Sequence, residues 1–202
     1  MTGSTDAIIA VSQVVLRERQ ARDRGWWDQM RDCIHPAAQI RLSWFRGTGA
    51  DFIVESREMS RRGQRATHRL GPPVVSVRED RAVVDISAAI EFRDALDGIE
   101  VDVTSYTRLL YRLERRCGSW QIQSLDPIYE RDTLLATTAG ADAALDHAVL
   151  SSYRPSYRFL AYYLNASGYE ISDDLYGDDR PEQVDALYRF SFAWMEHDPD
   201  RS

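Results

Sequence analysis

The N-terminal part of the chain carries apolar residues at helical spacing. Val11 and Val15 lie on one face of a helix that starts after "STD", runs to about Asp23 and is stopped by Gly25. Three further elements are predicted before residue 65: a short helix over "WWDQMRDCI", a strand over "QIRLSWF" and a helix over "GADFIVESREMSRRG".

From residue 65 onward the period of the apolar residues changes from helical to two. In "RAVVDISAAIEF" every second residue from Ala82 to Phe92 is apolar, and "EVDVTSYTRLLYRLERR" and "SWQIQSLDPIYERD" repeat this alternation. Helices followed by long strands predict an α+β fold, in which a curved antiparallel sheet forms a cone packed on the N-terminal helices. The apolar concave side of such a sheet is the expected place for a small-molecule pocket.

The last third of the chain is rich in aromatic residues and reads as helices. They are predicted over "SYRPSYRFLAYYLNASGY" and "DLYGDDRPEQVDALYRFSFAWM". We therefore divide the chain into a cone domain, residues 1–135, and a helical C-terminal extension, residues 136–202. The extension either packs its aromatic residues against itself and the cone, or serves as a lid over the cone mouth or as a subunit contact.

Composition and charge narrow the function classes. The 202 residues are 44% apolar and 28% charged, which is typical of a globular protein. The net charge of -7 argues against a nucleic-acid or anionic-membrane partner. No apolar run has the length of a membrane span, and the N-terminus lacks a basic start and a cleavage site, so a cytoplasmic location is expected.

The residue types also limit the chemistry. All 25 basic residues are arginine, which excludes a lysine Schiff base and a lysine-bearing phosphate loop. Cys33 and Cys117 show no metal or disulfide spacing, and no two histidines have ligand spacing. Neither a metal nor another cofactor is expected.

"RATHRLGPP" places a titratable ring on the apolar face of a predicted strand. Ala66, His68 and Leu70 share that face. His68 is therefore either a core histidine bonded to backbone or a general base at the bottom of a pocket. Asp23 likewise has two interpretations, a solvated residue paired with a neighbouring arginine or a partner of His68.

Three segments in this order carry a family resemblance: a helix ending in Asp23 followed by "GWWD", a strand beginning "THRLG" some 45 residues later, and "GSWQIQSLDPIYER". Over about residues 5–135 the chain resembles the SnoaL-like branch of the nuclear-transport-factor-like cone fold. That group includes scytalone dehydratase and hexachlorocyclohexane dehydrochlorinase.

The resemblance implies that Asp23 orients His68 as a base, because the carboxylate accepts one ring N–H and leaves the other nitrogen free. It implies a cofactor-independent lyase or isomerase, of dehydratase or cyclase type, acting on a hydrophobic cyclic small molecule. The alternatives are a non-catalytic protein of the same fold that binds a small molecule or a partner chain, and the small subunit of a ring-hydroxylating oxygenase.

The chain departs from these enzymes at the residues that assist the leaving group. By position, Arg22 replaces a tyrosine before the aspartate, Leu42 replaces a first-strand tyrosine, and Phe92 replaces a second histidine. Other residues must then supply the acid or bind the substrate. From periodicity the candidates are Tyr106, Asp126 and Tyr129.

Four residues are expected to line the pocket, and they are Trp27, Leu42, Trp44 and Phe92. The fold implied by the resemblance commonly assembles through the outer sheet face, so a homodimer or homotrimer is expected.

Overall fold

A computed structural model of the protein describes residues 4–141 and 143–196. The helices of this described part are α1 (Thr5–Arg24), α2 (Trp27–Cys33), α3 (Gly49–Arg61), α4 (His147–Ser152), α5 (Arg158–Ala166) and α6 (Pro181–Glu196). The strands are β1 (Ile34–Arg41), β2 (Arg46–Thr48), β3 (Ala66–Leu70), β4 (Val74–Arg78), β5 (Arg81–Leu96), β6 (Ile99–Arg116), β7 (Ser119–Ala136) and β8 (Tyr176–Gly177). None of the helices in these ranges has the length and apolar character needed to cross a membrane.

All eight strands belong to one curved, unclosed sheet, so the predicted α+β class is confirmed. The main path is β2-β1-β7-β6-β5-β3, with β4 paired to β5 and β8 paired to β7. The pairings are antiparallel except for β1 with β7 and β7 with β8, which are parallel and make the sheet mixed. Parallel pairing needs a long connection, and here β2 through β6 separate β1 from β7.

The first strand differs from its prediction over residues 39–45. It starts earlier, at Ile34, and ends at Arg41. The chain then reverses in a tight turn, in which the backbone N–H of Leu42 donates to the carbonyl of Phe45 over 2.7 Å. The apolar alternation continues through this turn, and for that reason the pattern alone does not reveal where the strand stops.

The inner face of the sheet packs on the three N-terminal helices. Val11 and Val15 of α1 and Phe52 of α3 lie in one buried cluster with the alternate residues of β5 and β6. The predicted apolar face of β5 is confirmed, since Ala82, Val84, Ile86 and Ala88 belong to this cluster.

Tight hairpins join the long strands. Asp97 and Gly98 connect β5 to β6, and Cys117 and Gly118 connect β6 to β7, all four with positive φ between 50° and 81°. Two successive positive φ values are typical of type I′ turns, whose twist matches that of the flanking strands. The long antiparallel strands β5, β6 and β7 form the wall of the cone.

The C-terminal extension contacts both sides of the sheet. Leu160 and Tyr163 of α5 form a buried cluster with Phe92, Val103 and Tyr129 at the open end of the cone. On the outer face, Leu187 of α6 packs in a smaller buried cluster with three sheet residues, Val83, Leu110 and Ile128. Residues 197–202 of the predicted extension lie outside the described part.

Candidate active site

The last two turns of α1 carry four buried or half-buried charged residues on the face that packs against the sheet. Positions 11 and 15 of this face are valines, but Glu18 and Arg22 occupy the next turns, with Arg19 and Asp23 beside them. Gly25 ends the helix with a φ of 70°, a left-handed conformation that glycine adopts without strain. The helix thus stops directly after it has placed Asp23 beside β3.

Asp23 holds His68 through two hydrogen bonds. The ring Nδ1 lies 2.6 Å from Asp23 Oδ1, and the backbone N–H of His68 donates to Asp23 Oδ2 over 2.8 Å. A carboxylate only accepts hydrogen bonds, so Nδ1 carries the proton and Nε2 of the neutral ring is the basic nitrogen. The His68 side chain is 6% exposed, and β3 fixes its position opposite Ile90 of β5.

The environment favours a neutral ring beside an ionised carboxylate. Burial lowers the pKa of His68, and the positive charges of Arg19 and Arg22 lower it further, although Asp23 acts in the opposite direction. Burial alone would raise the pKa of Asp23, but the hydrogen bonds and charge of His68 outweigh it and the pKa is lowered. At neutral pH the pair therefore presents an unprotonated Nε2.

Arg19 contacts this basic nitrogen. Its Nη1 lies 3.2 Å from His68 Nε2, while its Nε donates to Glu18 Oε2 over 2.5 Å and its Nη2 donates to Glu18 Oε1. Glu18 also accepts a hydrogen bond of 3.3 Å from the hydroxyl of Tyr111 on β6. Glu18 therefore fixes the guanidinium of Arg19 so that its Nη1 points towards His68.

Arg22 is the second buried guanidinium of the site. It is 5% exposed, its Nη2 donates to the sulfur of Met59 over 3.0 Å, and its Cζ lies 5.7 Å from the ring centroid of Trp44. Burial, together with the positive charge of Arg19, lowers its pKa to about 10. Among the described residues Arg22 forms no ion pair. The carboxylates of Glu18 and Asp23 equal the guanidiniums of Arg19 and Arg22 in number, so the charges cancel over the site as a whole but not in pairs.

A cavity of about 30 Å³ lies against His68 and both arginines. This volume is room for about two water molecules. Leu160 of α5 contributes to the wall, so the C-terminal extension covers this end of the cone. The lining is otherwise mostly apolar, and it consists of Arg19, Arg22, Leu42, Ser43, Trp44, Phe52, Met59, Ala66, His68, Ile90, Phe92, Leu109, Pro127, Tyr129 and Leu160.

Of the residues expected to line a pocket, Leu42, Trp44 and Phe92 lie at this cavity. The structure places Trp27 elsewhere, packed against the core between the N-terminal helices and the sheet. Tyr129 also lines the cavity, and its hydroxyl accepts the backbone N–H of Ser43 over 3.0 Å. Burial raises the pKa of Tyr129 to about 12, which keeps the hydroxyl protonated at neutral pH.

The structure places Asp126 and Tyr106 away from this cavity. Asp126 pairs with Leu110 on the outer face of the sheet and lies in a separate cleft of about 340 Å³ that Arg112 also lines. Tyr106 lies on the outer face of β6, where the guanidinium of Arg131 stacks over its ring at 4.1 Å.

A β-bulge explains why the alternation misplaces Asp126. The register of β6 with β7 jumps from Leu113↔Ile122 to Arg112↔Ser124, so Gln123 is an extra residue in β7. One extra residue exchanges the two faces of a strand. Beyond the bulge Pro127 and Tyr129 face the cavity, whereas Asp126 faces outward.

Sequence reasoning missed Glu18, Arg19, Arg22 and Leu160 as parts of the site. The available signal for the first three was that charged residues, which are almost never buried without partners, continue the apolar stripe of α1 or lie beside it. Leu160 gave no such signal, since it belongs to an ordinary amphipathic helix. Within the described part of the chain, no three His, Cys, Asp or Glu side chains converge as a metal site requires.

Comparison with known proteins agrees with this geometry at the level of the fold and family. Residues 4–126 match the family model described as a SnoaL-like domain. Two relatives come from the fungus Fusarium vanettenii. A PEP2-like protein is 30% identical over 185 residues, covering 87% of this chain and 79% of the relative. Pea pathogenicity protein 2 is 28% identical, covering 93% of this chain and 87% of the relative.

Solved structures share the cone fold at low sequence identity. A hexachlorocyclohexane dehydrochlorinase, LinA type 2, superposes with a TM-score of 0.58 at 12% identity, covering 69% of this chain and 96% of that one. A candidate scytalone dehydratase from Novosphingobium aromaticivorans gives a TM-score of 0.51 at 15% identity, covering 70% of this chain and 94% of that one. The match to the family model spans more than half of the sequence, and the chain belongs to the SnoaL-like family.

Proposed function

We propose that this protein is a cofactor-independent lyase or isomerase, of dehydratase or cyclase type, that removes a proton from carbon in a hydrophobic cyclic small molecule. The observation that carries the proposal is the Asp23–His68 pair, with Nδ1 bound to the carboxylate and the His68 side chain lining a mostly apolar cavity. The fold is shared with proteins named for dehydrochlorination and scytalone dehydration, but a fold alone does not define an activity.

In the proposed reaction Nε2 of His68 takes the proton, and the electron pair of the broken C–H bond moves into the substrate. Asp23 stabilises the imidazolium that forms, because its carboxylate remains bound to Nδ1. The buried surroundings strengthen this attraction, since few water dipoles compete with it. The imidazolium then returns the proton, either to a leaving hydroxyl in an elimination or to another carbon in an isomerisation.

Two contacts have to change before a cyclic molecule reaches His68. The N–H of Arg19 occupies Nε2, so this guanidinium must turn away from the ring when substrate binds. The cavity of about 30 Å³ is too small for a cyclic substrate, so we propose that α5 moves as a lid and carries Leu160 with it. Lids of this kind exclude water while the reaction proceeds.

The test is a deuterium-exchange screen that needs no knowledge of the natural substrate. Cyclic ketones with acidic α-protons are incubated with the protein in D₂O, and exchange is followed by NMR or mass spectrometry. Replacing a general base should slow exchange by at least about a hundredfold, so we expect this loss in His68→Gln and a smaller loss in Asp23→Asn. Tyr106→Phe, on the outer face of the sheet, is the matched control and should keep the wild-type rate. Exchange at the wild-type rate in His68→Gln would overturn the proposal.

The second candidate function is a non-catalytic small-molecule-binding protein of the same fold. The contact between Arg19 and Nε2 favours it, because a base whose lone pair already accepts a hydrogen bond is not ready to react. The two functions differ in the ligand-bound state. If Nε2 of His68 still accepts from Arg19 when a ligand fills the cavity, the protein is a binder; if a substrate C–H replaces Arg19 at Nε2, it is an enzyme.

A further inference from the structure

Arg22 is a buried cation without an ion-pair partner among the described residues, although the charges of Asp23 and Glu18 act on it from a greater distance. Its guanidinium makes a hydrogen bond to the thioether sulfur of Met59 and a ring contact with the indole of Trp44. Sulfur is a weak acceptor, and a guanidinium has five N–H groups to satisfy. The side chain is 5% exposed, so bulk water contributes little to its solvation.

Arg19, the other buried guanidinium of the site, has the carboxylate partner that Arg22 lacks. That partner, Glu18, binds two of the nitrogens of Arg19, and the third nitrogen contacts His68. Arg22 has no carboxylate within ion-pair distance among the described residues, yet it lies at the same cavity. A guanidinium retained in such a place fits an anion or a developing oxyanion delivered by a ligand.

We propose that Arg22 is the oxyanion-binding group of the site, and that the ligand is a molecule whose carboxylate or carbonyl oxygen accepts hydrogen bonds from its guanidinium. For the reaction, this inference rests on the proposed function. The substrate class is then compounds with a C–H bond adjacent to the carbonyl group that Arg22 binds. Binding of the oxygen by Arg22 does not depend on the reaction.

His68 and Arg22 together account for the movement of the proton and the electron pairs in this reaction. His68 Nε2 takes the α-proton, the C–H electron pair becomes a carbon–carbon double bond, and the carbonyl π pair moves onto the oxygen as an enolate. Arg22 stabilises that negative charge. When the enolate collapses, either a leaving group on the β-carbon departs with the proton from His68, or the same proton returns to a different carbon. No oxidant or reductant is needed.

Acetate and acetamide are suitable probes, because both are about as large as the two water molecules for which the cavity has room. They have nearly the same shape and differ in charge. Binding is followed by NMR through the indole N–H of Trp44, whose ring contacts Arg22. We expect the wild type to bind acetate at least about tenfold more tightly than acetamide, as a charge-assisted pair requires. Arg22→Met should lose this preference, and Arg22→Lys should keep part of it.

One control tests whether the preference is specific to Arg22. Arg93→Met removes an exposed arginine that pairs with Asp102 and should leave the acetate preference unchanged. Equal affinity of the wild type for the two probes, or an acetate preference that survives in Arg22→Met, would overturn the inference. Failure of the proposed function shows instead in the deuterium-exchange assay, where His68→Gln would match the wild type.

Arg22→Met is expected to fold, since it removes a buried charge that has no ion-pair partner among the described residues and keeps a side chain of similar length. Its melting temperature, measured beside the binding experiment, reports this directly. Arg22→Gln, which keeps a polar head without the charge, is a second variant that should show the same loss of acetate preference.

Discussion

Replacing Glu18 by Gln should strongly destabilise the protein. Glu18 is fully buried and binds Arg19, whose side chain is 4% exposed, so the substitution leaves the guanidinium of Arg19 without its carboxylate. Removing one partner of a buried ion pair costs about 3–5 kcal/mol, because the remaining charge stays buried and unpaired. For a chain of this size each kcal/mol shifts the melting temperature by about 2–4 °C, so a decrease of about 6–20 °C is expected.

Calorimetry and urea unfolding measure this change, and a double variant separates charge from packing. Glu18→Gln combined with Arg19→Met removes both charges and should recover most of the lost stability. Glu58→Gln is the control, because Glu58 pairs with the exposed Arg61 and such pairs contribute about 1 kcal/mol or less. A loss below about 1 kcal/mol in Glu18→Gln would show that Arg19 does not depend on this carboxylate, contrary to our reasoning.

Three further predictions concern the titration of His68, the attachment of α5 to the sheet and the hydrogen bond of Tyr129. Folding lowers the pKa of His68, so below about pH 6.5 the unfolded chain binds more protons than the folded one. The free energy of unfolding should therefore fall as the pH drops below that value. Urea unfolding of His68→Gln at the same pH values should lack the part of this decrease that is due to His68. Tyr163→Phe removes the 2.9 Å bond to Asp94 that helps to hold α5, and should accelerate amide hydrogen exchange in that helix while costing about 0.5–1.5 kcal/mol of stability. Tyr129→Phe leaves the buried N–H of Ser43 without its acceptor and should cost about 1–3 kcal/mol by urea unfolding; an unchanged midpoint would contradict that hydrogen bond.

The sequence pattern located the two residues that meet in the site because each sits in an element with clear local signals. The helical period and Gly25 mark where α1 ends, and the alternation around His68 places its ring on the inner face of β3. The family resemblance supplied the pairing of Asp23 with His68. The structure then brings the two side chains to 2.6 Å.

Alternation alone could not place the candidate acids. A single inserted residue at Gln123 exchanges the faces of β7, and nothing in the local residue types marks that insertion. Asp126 therefore lies on the outer face, and Tyr129, two residues beyond Pro127, lies at the cavity. Trp27 shows a related limit, since a helix of seven residues has too few turns to define its buried face.

The roles of the charged residues on α1 and of the extension depend on tertiary contacts. Glu18 and Arg19 are stable inside the protein because they pair with each other and make further hydrogen bonds to Tyr111 and His68, and these two partners are distant in sequence. The position of α5 over the cone mouth follows from its contacts with Phe92 and Tyr129. Its own amphipathic pattern predicts only that one of its faces is buried.

The most direct test of the central claim is a ¹⁵N NMR titration of the His68 ring in the wild type and in Asp23→Asn. We predict a neutral ring at pH 7 with the proton on Nδ1 and none on Nε2, because Asp23 accepts the Nδ1 hydrogen bond. Asp23 also raises the pKa of His68 against the effect of burial, so Asp23→Asn should lower that pKa. A proton on Nε2, or a titration that ignores the substitution, would contradict the claim that Asp23 orients His68 as a base.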